Sequence, residues 1–202
     1  MNSPKTVADL LKMEIPDPEK REFEDVSPGT HTAVIVGVVP LGYQVGKKIY
    51  DDYKGKTHNG YPVSFEVAIV FEVAEKLETG TFAGKNKAIT LRFLRPTWQP
   101  KKSPNLKDII ETLHGKFDSF GDATALLTGK QCVLGITKDK YTNVSSVNKP
   151  MNGVPPVVPN GPFEVPKFLT KLIGESISAE EFSKPSKIAP PTPVSGGNSE
   201  VF

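Results

Sequence analysis

The chain has little of several residue types on which common protein functions depend. Its 202 residues include one cysteine, Cys132, so no internal disulfide can form, which is typical of a reducing cytoplasm. The histidines His31, His58 and His114 are scattered without metal-ligand spacing, so we expect neither a metal nor a cofactor. No apolar run approaches the ~18 residues of a membrane span, and the N-terminus does not resemble a signal peptide.

Recognisable catalytic motifs are missing as well. Gly55-Lys56-Thr57 resembles the end of a phosphate-binding loop, but Tyr50 stands where that motif needs its first glycine. No Ser/His/Asp arrangement and no carboxylate pair suited to acid–base catalysis stands out. We therefore expect a binding protein and not an enzyme.

Positive charge is concentrated in the middle of the chain. The net charge is only +2, yet residues 1–25 carry four basic and seven acidic side chains, and residues 164–202 carry four basic and five acidic ones. Residues 26–163 therefore hold an excess of positive charge. Segregation of this kind favours an anionic partner.

Hydrophobic periodicity predicts five strands with helices between the third and the fourth. Apolar residues alternate with other residues over more than ten positions from Tyr61 to Ala74, the period of a half-buried strand. The predicted strands are Thr30–Val39, Tyr61–Ala74, Ala88–Arg95, Gln131–Thr137 and Tyr141–Val147. A helix is predicted from Ser103-Pro104 to Gly115 and another over Asp122–Leu127, and residues 41–59 are predicted as a long loop or hairpin. This order is that of a mainly β, five-stranded OB-type Greek-key barrel with a helical insert.

The composition divides the chain into four regions. Residues 1–25 are predicted to form a short helix and a linker, and residues 26–150 the barrel. Residues 151–182 read as a proline-rich extension whose short helix packs on the barrel. Residues 183–202 contain too few apolar side chains to fold, so we expect a disordered tail.

The strongest functional pattern is a basic stretch in and after the third predicted strand. Six basic residues and no acidic one lie between Lys85 and Lys102, with Trp98 among them. Single-stranded nucleic acid needs cations for its phosphates and flat rings for its bases, where stacking is worth ~1–3 kcal/mol per base. The DNA contacts predicted here are Lys87, Arg92, Arg95, Trp98, Lys101 and Lys102. A merely solvated basic surface is the alternative.

Two further clusters would flank the groove in which an OB barrel binds nucleic acid. In an OB barrel the loop between the first two strands borders the binding surface. The residues predicted to contact DNA from this loop are Lys47, Lys48, Tyr50, Tyr53, Lys54, Lys56 and Tyr61. The same composition is compatible with aromatic side chains that pack on their own barrel. Lys138, Lys140 and Tyr141, at the last hairpin, are predicted to close the other side of the groove.

Several segments resemble the single-stranded-DNA-binding replication proteins of tailed phages. The segments that carry the resemblance are Thr30–Gly42, Phe65–Glu72, Lys102–Leu106 with Ile109-Ile110, Leu126–Leu134, Tyr141–Val147 and Phe163–Leu169. The resemblance implies an OB barrel, sequence-independent binding and protection of single-stranded DNA, and a role in phage DNA replication or recombination. It also implies the cytoplasm of an infected bacterial host cell. The DNA contacts predicted above come from local chemistry alone.

The C-terminus and the choice of partner leave alternatives open. Many single-strand binders end in an acidic tail with a terminal aromatic residue that recruits replication partners, whereas here Glu200 is the only acidic residue near Val201 and Phe202. Val201 and Phe202 either recruit phage or host replication and recombination proteins or form a plain disordered end. The alternative to DNA binding is a phage protein-interaction factor on the same barrel, in assembly or anti-defence. The sequence is compatible with a monomer and with a homodimer.

Overall fold

One long strand, β1, organises the sheet. The structure, a computed structural model, describes residues 24–47, 56–95 and 104–183. β1 covers Gly29–Val45, and β3 covers Tyr61–Lys76. The two-residue β2, Thr57–His58, joins β3 through Asn59-Gly60, whose positive φ angles of 51° and 81° are those of a type I′ hairpin turn. The other elements are β4 (Asn86–Leu94), α1 (Leu106–Leu113), α2 (Phe120–Leu127), β5 (Gln131–Lys138), β6 (Thr142–Asn148), α3 (Lys167–Gly174) and α4 (Ala179–Ser183).

The sheet is antiparallel throughout the described residues. β3 lies along one edge of β1, from Ala33 opposite Val73 to Val45 opposite Val63. β5 lies along the other edge but pairs only with the first part of β1, from Gly29 to Val34. β4 continues the sheet beyond β3 and β6 continues it beyond β5, and these two outer strands approach each other. The prediction of a mainly β chain is confirmed.

Two β-bulges bend β1. One interrupts the pairing with β3 between Ile35 and Gly37, and the other lies between Pro40 and Gly42. Gly42 has φ +77°, a conformation that side chains with a Cβ rarely adopt. A bulge increases local twist and redirects the strand beyond it. The second bulge therefore sets the direction in which the last residues of β1 project.

The inner face of the curved sheet forms the main core. Ile35, Ile69, Phe71 and Leu134 are fully buried there. α1 covers this core with Leu106, Ile109 and Ile110, which share one face because they are three and four residues apart. Its first turn is capped by Asn105, whose side-chain oxygen accepts a hydrogen bond from the Asp108 amide at 2.9 Å.

The outer face of β1 and β3 is covered by the C-terminal extension. We call residues 151–183 the strap. A second core forms beneath it, and its buried members are Val34, Val36, Val39, Leu41, Ala68, Val70, Val157 and Leu169. Hydrogen bonds anchor the strap at its start, because Gln131 and Val157 exchange two bonds of 2.9 Å. Asn86 and Asn160 exchange two more, of 2.8 and 3.0 Å.

Several local predictions need correction. Residues 41–45 were predicted in a loop, but they continue β1, because they pair with the first residues of β3 and so satisfy its backbone groups. α1 begins at Leu106 after its Asn105 cap, not at Ser103-Pro104. The predicted N-terminal helix and all but the first residue of the predicted disordered tail lie outside the described residues. Within residues 24–47, 56–95 and 104–183, no helix is long and apolar enough to cross a membrane.

Candidate nucleic-acid interface

Three strand ends meet at one end of the sheet. β1 ends at Val45, which lies opposite Val63 near the start of β3, and β4 ends at Leu94, which lies opposite Val67. Arg95 directly follows β4, Lys47 lies two residues after the end of β1, and Lys56 directly precedes β2, which pairs with the start of β3. We call this region the hairpin end; its members are Lys47, Lys56, Tyr61, Arg95 and the first residues of β3. Lys47, Lys56 and Tyr61 belong to the predicted basic and aromatic loop, and Arg95 belongs to the predicted basic stretch between Lys85 and Lys102.

The backbone holds the two lysines of the hairpin end in place. The Gly46 amide donates to the Pro62 carbonyl at 2.7 Å, and the Val63 amide donates to the Lys56 carbonyl at 2.9 Å. Lys47 and Lys56 are both exposed, and Tyr61 beside them is 38% exposed. Two cationic side chains and a partly exposed aromatic ring therefore lie close together. This is the local chemistry that a phosphate backbone with unpaired bases requires.

Two aromatic residues that sequence reasoning missed extend this surface. Tyr43 on β1 lies opposite Phe65 on β3, and their rings meet edge to face with centroids 5.4 Å apart. Alternation along β3 puts Phe65 on the same face as the core residue Val67, but Phe65 is not a member of the main core and is 37% exposed. An alternating pattern does not show where a strand leaves its core. The sequence therefore gave no signal that Phe65 reaches solvent.

Arg92 lies on the outer face of β4, next to the strap. Its side chain is exposed, and the guanidinium carbon lies 5.5 Å from the centroid of the Phe168 ring on α3. Phe168 is itself 45% exposed. A cation over an aromatic face is a stabilising contact, and it also presents a charge and a ring side by side. The predicted contact residue Arg92 therefore gains an aromatic neighbour from a part of the chain that the prediction did not include.

Arg95 forms an ion pair with a buried carboxylate. Its Nε atom lies 3.5 Å from Oε1 of Glu66, whose residue is only 5% exposed. Ser64 donates a hydrogen bond of 2.9 Å to the same oxygen. The side chain of Arg95 keeps 36% of its surface exposed. Glu66 therefore offsets part of the charge of Arg95.

Lys87 has a different environment from the one predicted. It is 7% exposed, and its ammonium group lies 2.7 Å from Glu75, 3.3 Å from Glu24 and 3.2 Å from the Asp25 carbonyl. The hydrogen bond to Glu75 raises the pKa of Lys87, against the opposing effect of burial. Because its partners are carboxylates of the protein itself, Lys87 joins the segment before β1 to the sheet. This placement argues against the predicted DNA contact, and we assign Lys87 a structural role.

The hairpin between β5 and β6 lies at the other end of β1. Ile136 pairs with Gly29, the first residue of β1, so Lys138, Lys140 and Tyr141 project near the start of that strand. Lys138 forms an ion pair of 3.3 Å with Asp25, and Lys140 lies over the ring of Tyr141, which is 67% exposed. The structure does not bring these three residues to the hairpin end.

Half of the predicted contact residues lie outside the residues that the structure describes. The residues of the prediction that lie outside the described residues are Lys48, Tyr50, Tyr53, Lys54, Trp98, Lys101, Lys102, Val201 and Phe202. In the part of the chain that the structure describes, no three His, Cys, Asp or Glu side chains are grouped as metal ligands. Burial raises the pKa of the Cys132 thiol to about 12, so this cysteine is a core residue and a poor nucleophile.

Comparison with known proteins assigns no family. No protein-family model matches the chain, and no curated protein matches its sequence significantly.

Proposed function

We propose that the chain is a non-catalytic, sequence-independent single-stranded-DNA-binding protein. The observation that carries the proposal is the hairpin end itself. Lys47, Lys56 and Tyr61 come from the predicted loop between the first two strands, and Arg95 comes from the basic stretch between Lys85 and Lys102. These segments are far apart in the chain, yet the four residues lie at one end of one sheet.

Single strands fit this surface better than a duplex. Tyr61 and Phe65 expose more than a third of their surface beside these cations. A base can stack on such a ring only when it is unpaired, because paired bases in a duplex show only their edges in the grooves. A surface with cations alone would bind both forms through their phosphates.

An OB-type barrel is the architecture that we propose for this site. It is supported by the bent β1, which pairs with β3 and β5, by the helices between β4 and β5, and by the approach of β4 to β6. On the resemblance to tailed-phage replication proteins, we place the activity in phage DNA replication or recombination, in the cytoplasm of the infected bacterial cell. Recruitment of replication proteins by Val201 and Phe202 is part of the same proposal.

A binding titration tests the function. A fluorescein-labelled thymidine 30-mer and a duplex of equal length are titrated with the protein at about 50 and 200 mM salt, and anisotropy is followed. Intrinsic fluorescence of Trp98, the single tryptophan, gives a second readout. We expect tight binding of the single strand that weakens with salt, and little binding of the duplex.

Charge-neutralising variants locate the surface. Lys47→Gln and Arg92→Gln should each weaken single-strand binding roughly fivefold to tenfold at low salt and reduce the salt slope by about 0.7, the value per phosphate contact on single strands. Lys116→Gln, at an exposed lysine between α1 and α2, is the matched control and should bind like the wild type. Absence of binding even at low salt would refute the proposal. Equal losses in all three variants would refute the location.

One observation favours the protein-interaction candidate instead. Seven apolar side chains of the strap are more than a third exposed: Met151, Val154, Val158, Phe163, Val165, Phe168 and Ile173. Val158 alone exposes 76% of its surface. Exposed apolar residues concentrated in one segment are a common feature of protein interaction sites. The same titration separates the two candidates, because a protein-interaction factor would not bind the 30-mer tightly.

A further inference from the structure

An aromatic side chain of the strap lies on Tyr43 in the way that a base would. The rings of Phe182 and Tyr43 are stacked, with centroids 4.0 Å apart and planes inclined by 18°. Phe65 meets the Tyr43 ring at its edge. A nearly parallel stack at this distance is the arrangement in which an unpaired base binds an aromatic side chain. A base can use this face of Tyr43 only after Phe182 has left it.

The surroundings of Phe182 are also those of a nucleotide site. The Lys56 ammonium lies 4.3 Å from the centroid of the Phe182 ring and donates a hydrogen bond of 3.2 Å to its carbonyl oxygen. Lys47 is exposed at the end of the same strand as Tyr43. A cation that contacts an aromatic ring and a carbonyl oxygen can contact a base and a phosphate oxygen in their place.

The helix that carries Phe182 is weakly attached. None of the five residues of α4 is buried. The chain just before it forms a single backbone bridge, in which the Ile177 amide donates to the Tyr43 carbonyl at 3.0 Å. Ser178 caps the N-terminus of α4 locally. Its hydroxyl oxygen accepts a hydrogen bond from the Glu181 amide, and its own amide donates to the Glu181 carboxylate. Among residues 24–47, 56–95 and 104–183, Phe182 supplies the hydrogen bond and the ring contacts that join α4 to the sheet. Because no residue of α4 is buried, the departure of Phe182 from Tyr43 removes no core residue.

We propose that Tyr43 is a base-stacking residue of the single-strand site and that Phe182 occupies it in the free protein, so that an unpaired base displaces α4. This inference rests on the proposed function. A ring-on-ring contact of this kind keeps the site covered between roughly twofold and twelvefold more often than open. Apparent affinity falls by the fraction of the protein that is open.

Variants of Phe182 and Tyr43 test the competition with the thymidine 30-mer. Phe182→Ala should bind about threefold to tenfold more tightly than the wild type. Tyr43→Leu should bind about fivefold or more weakly, and Tyr43→Phe, which keeps the ring, should bind like the wild type. In Tyr43→Leu the further change Phe182→Ala should bring no gain. Phe82→Ala is the control, since Phe82 is 51% exposed beside Lys85 but lies on the turn between β3 and β4.

Proteolysis gives a readout that does not depend on affinity. α4 contains Glu180 and Glu181, which a glutamate-specific protease cleaves once the helix is released. The 30-mer should accelerate cleavage there in the wild type. The inference is overturned if the wild type binds the 30-mer while Phe182→Ala binds equally or more weakly, or if the 30-mer leaves cleavage unchanged. If neither the wild type nor Phe182→Ala binds, the proposed function itself has failed.

Discussion

Truncation of Leu169 measures how firmly the strap belongs to the fold. Leu169 is the buried residue of α3, and its side chain is fully enclosed in the second core with Leu41, Val70 and their neighbours. Leu169→Ala removes that side chain without altering the polar anchors at Gln131 and Asn86. Any loss of stability therefore reports on the packing between strap and sheet.

Leu169→Ala is expected to lower the free energy of unfolding by about 2–3 kcal/mol. Leucine-to-alanine changes in well-packed cores cost roughly 2–5 kcal/mol, and more when the surroundings cannot collapse into the cavity. Here the neighbours Phe168 and Ile173 are 45% and 39% exposed, so α3 has room to settle and the lower half of that range applies. For a chain of this size the melting temperature should fall by about 5–10 °C.

The assay is urea denaturation followed by far-ultraviolet circular dichroism. The control is Leu126→Ala on α2, because Leu126 is a helical leucine that is 47% exposed and undergoes the same change in helix propensity. It should cost less than about 1 kcal/mol. Equal small losses in both variants would show that the strap is not packed on the sheet in solution and would refute the reasoning.

Two further predictions concern Glu24, which precedes β1, and Gly37, which lies within β1. Backbone hydrogen bonds from Glu78 and Thr79 lower the pKa of Glu24 from 4.5 to about 2, so its stabilising effect is complete above about pH 5 and is lost as the pH falls toward 2. Glu24→Gln should therefore be less stable than the wild type near neutrality and converge with it near pH 2, and a constant difference in denaturation midpoint would contradict this. A Cβ at Gly37 would overlap the Phe163 ring, so Gly37→Ala should cost about 1–3 kcal/mol. Most of that cost should vanish in a Phe163→Ala background, and additive losses in the double-mutant cycle would rule out this clash.

Local sequence patterns predicted which strands and helices form better than they predicted where these begin and end. The alternation from Tyr61 to Ala74 is the direct expression of a strand with one face in the core, and it identified β3 almost to its ends. β1 was predicted too short, because Pro40 and Gly42 are usual signs of a turn. In the structure a bulge absorbs both residues and the strand continues, supported by backbone partners on β3. Whether such a pair of residues ends a strand or bends it depends on the neighbouring strand, which local sequence does not contain.

The candidate site was predicted only in part, again because local sequence does not contain the distant partners of each residue. Counts of positive charge identified Lys47, Lys56, Arg92 and Arg95, which the structure leaves at least partly exposed. The same counts included Lys87, whose neutralising partners Glu24 and Glu75 come from other segments. Tyr43 and Phe182, whose rings stack, are far apart in the chain. The composition of neither segment indicates this contact. Local sequence shows which side chains are charged, whereas their contacts with distant segments depend on the fold.

The strap combines two roles that the structure allows to be separated. Its stabilising role depends on Leu169 and Val157, which are buried, whereas α4 buries nothing and contacts the sheet mainly through Phe182. Leu169→Ala should therefore lower the urea midpoint, and Phe182→Ala should leave it close to that of the wild type while single-strand affinity rises. Because loss of a buried contact and release of an exposed ring act on different equilibria, stability and affinity should respond independently. If Phe182→Ala lowered the midpoint as far as Leu169→Ala does, α3 and α4 would form one cooperative unit, and an incoming base would have to undock the whole strap and not only its last turn.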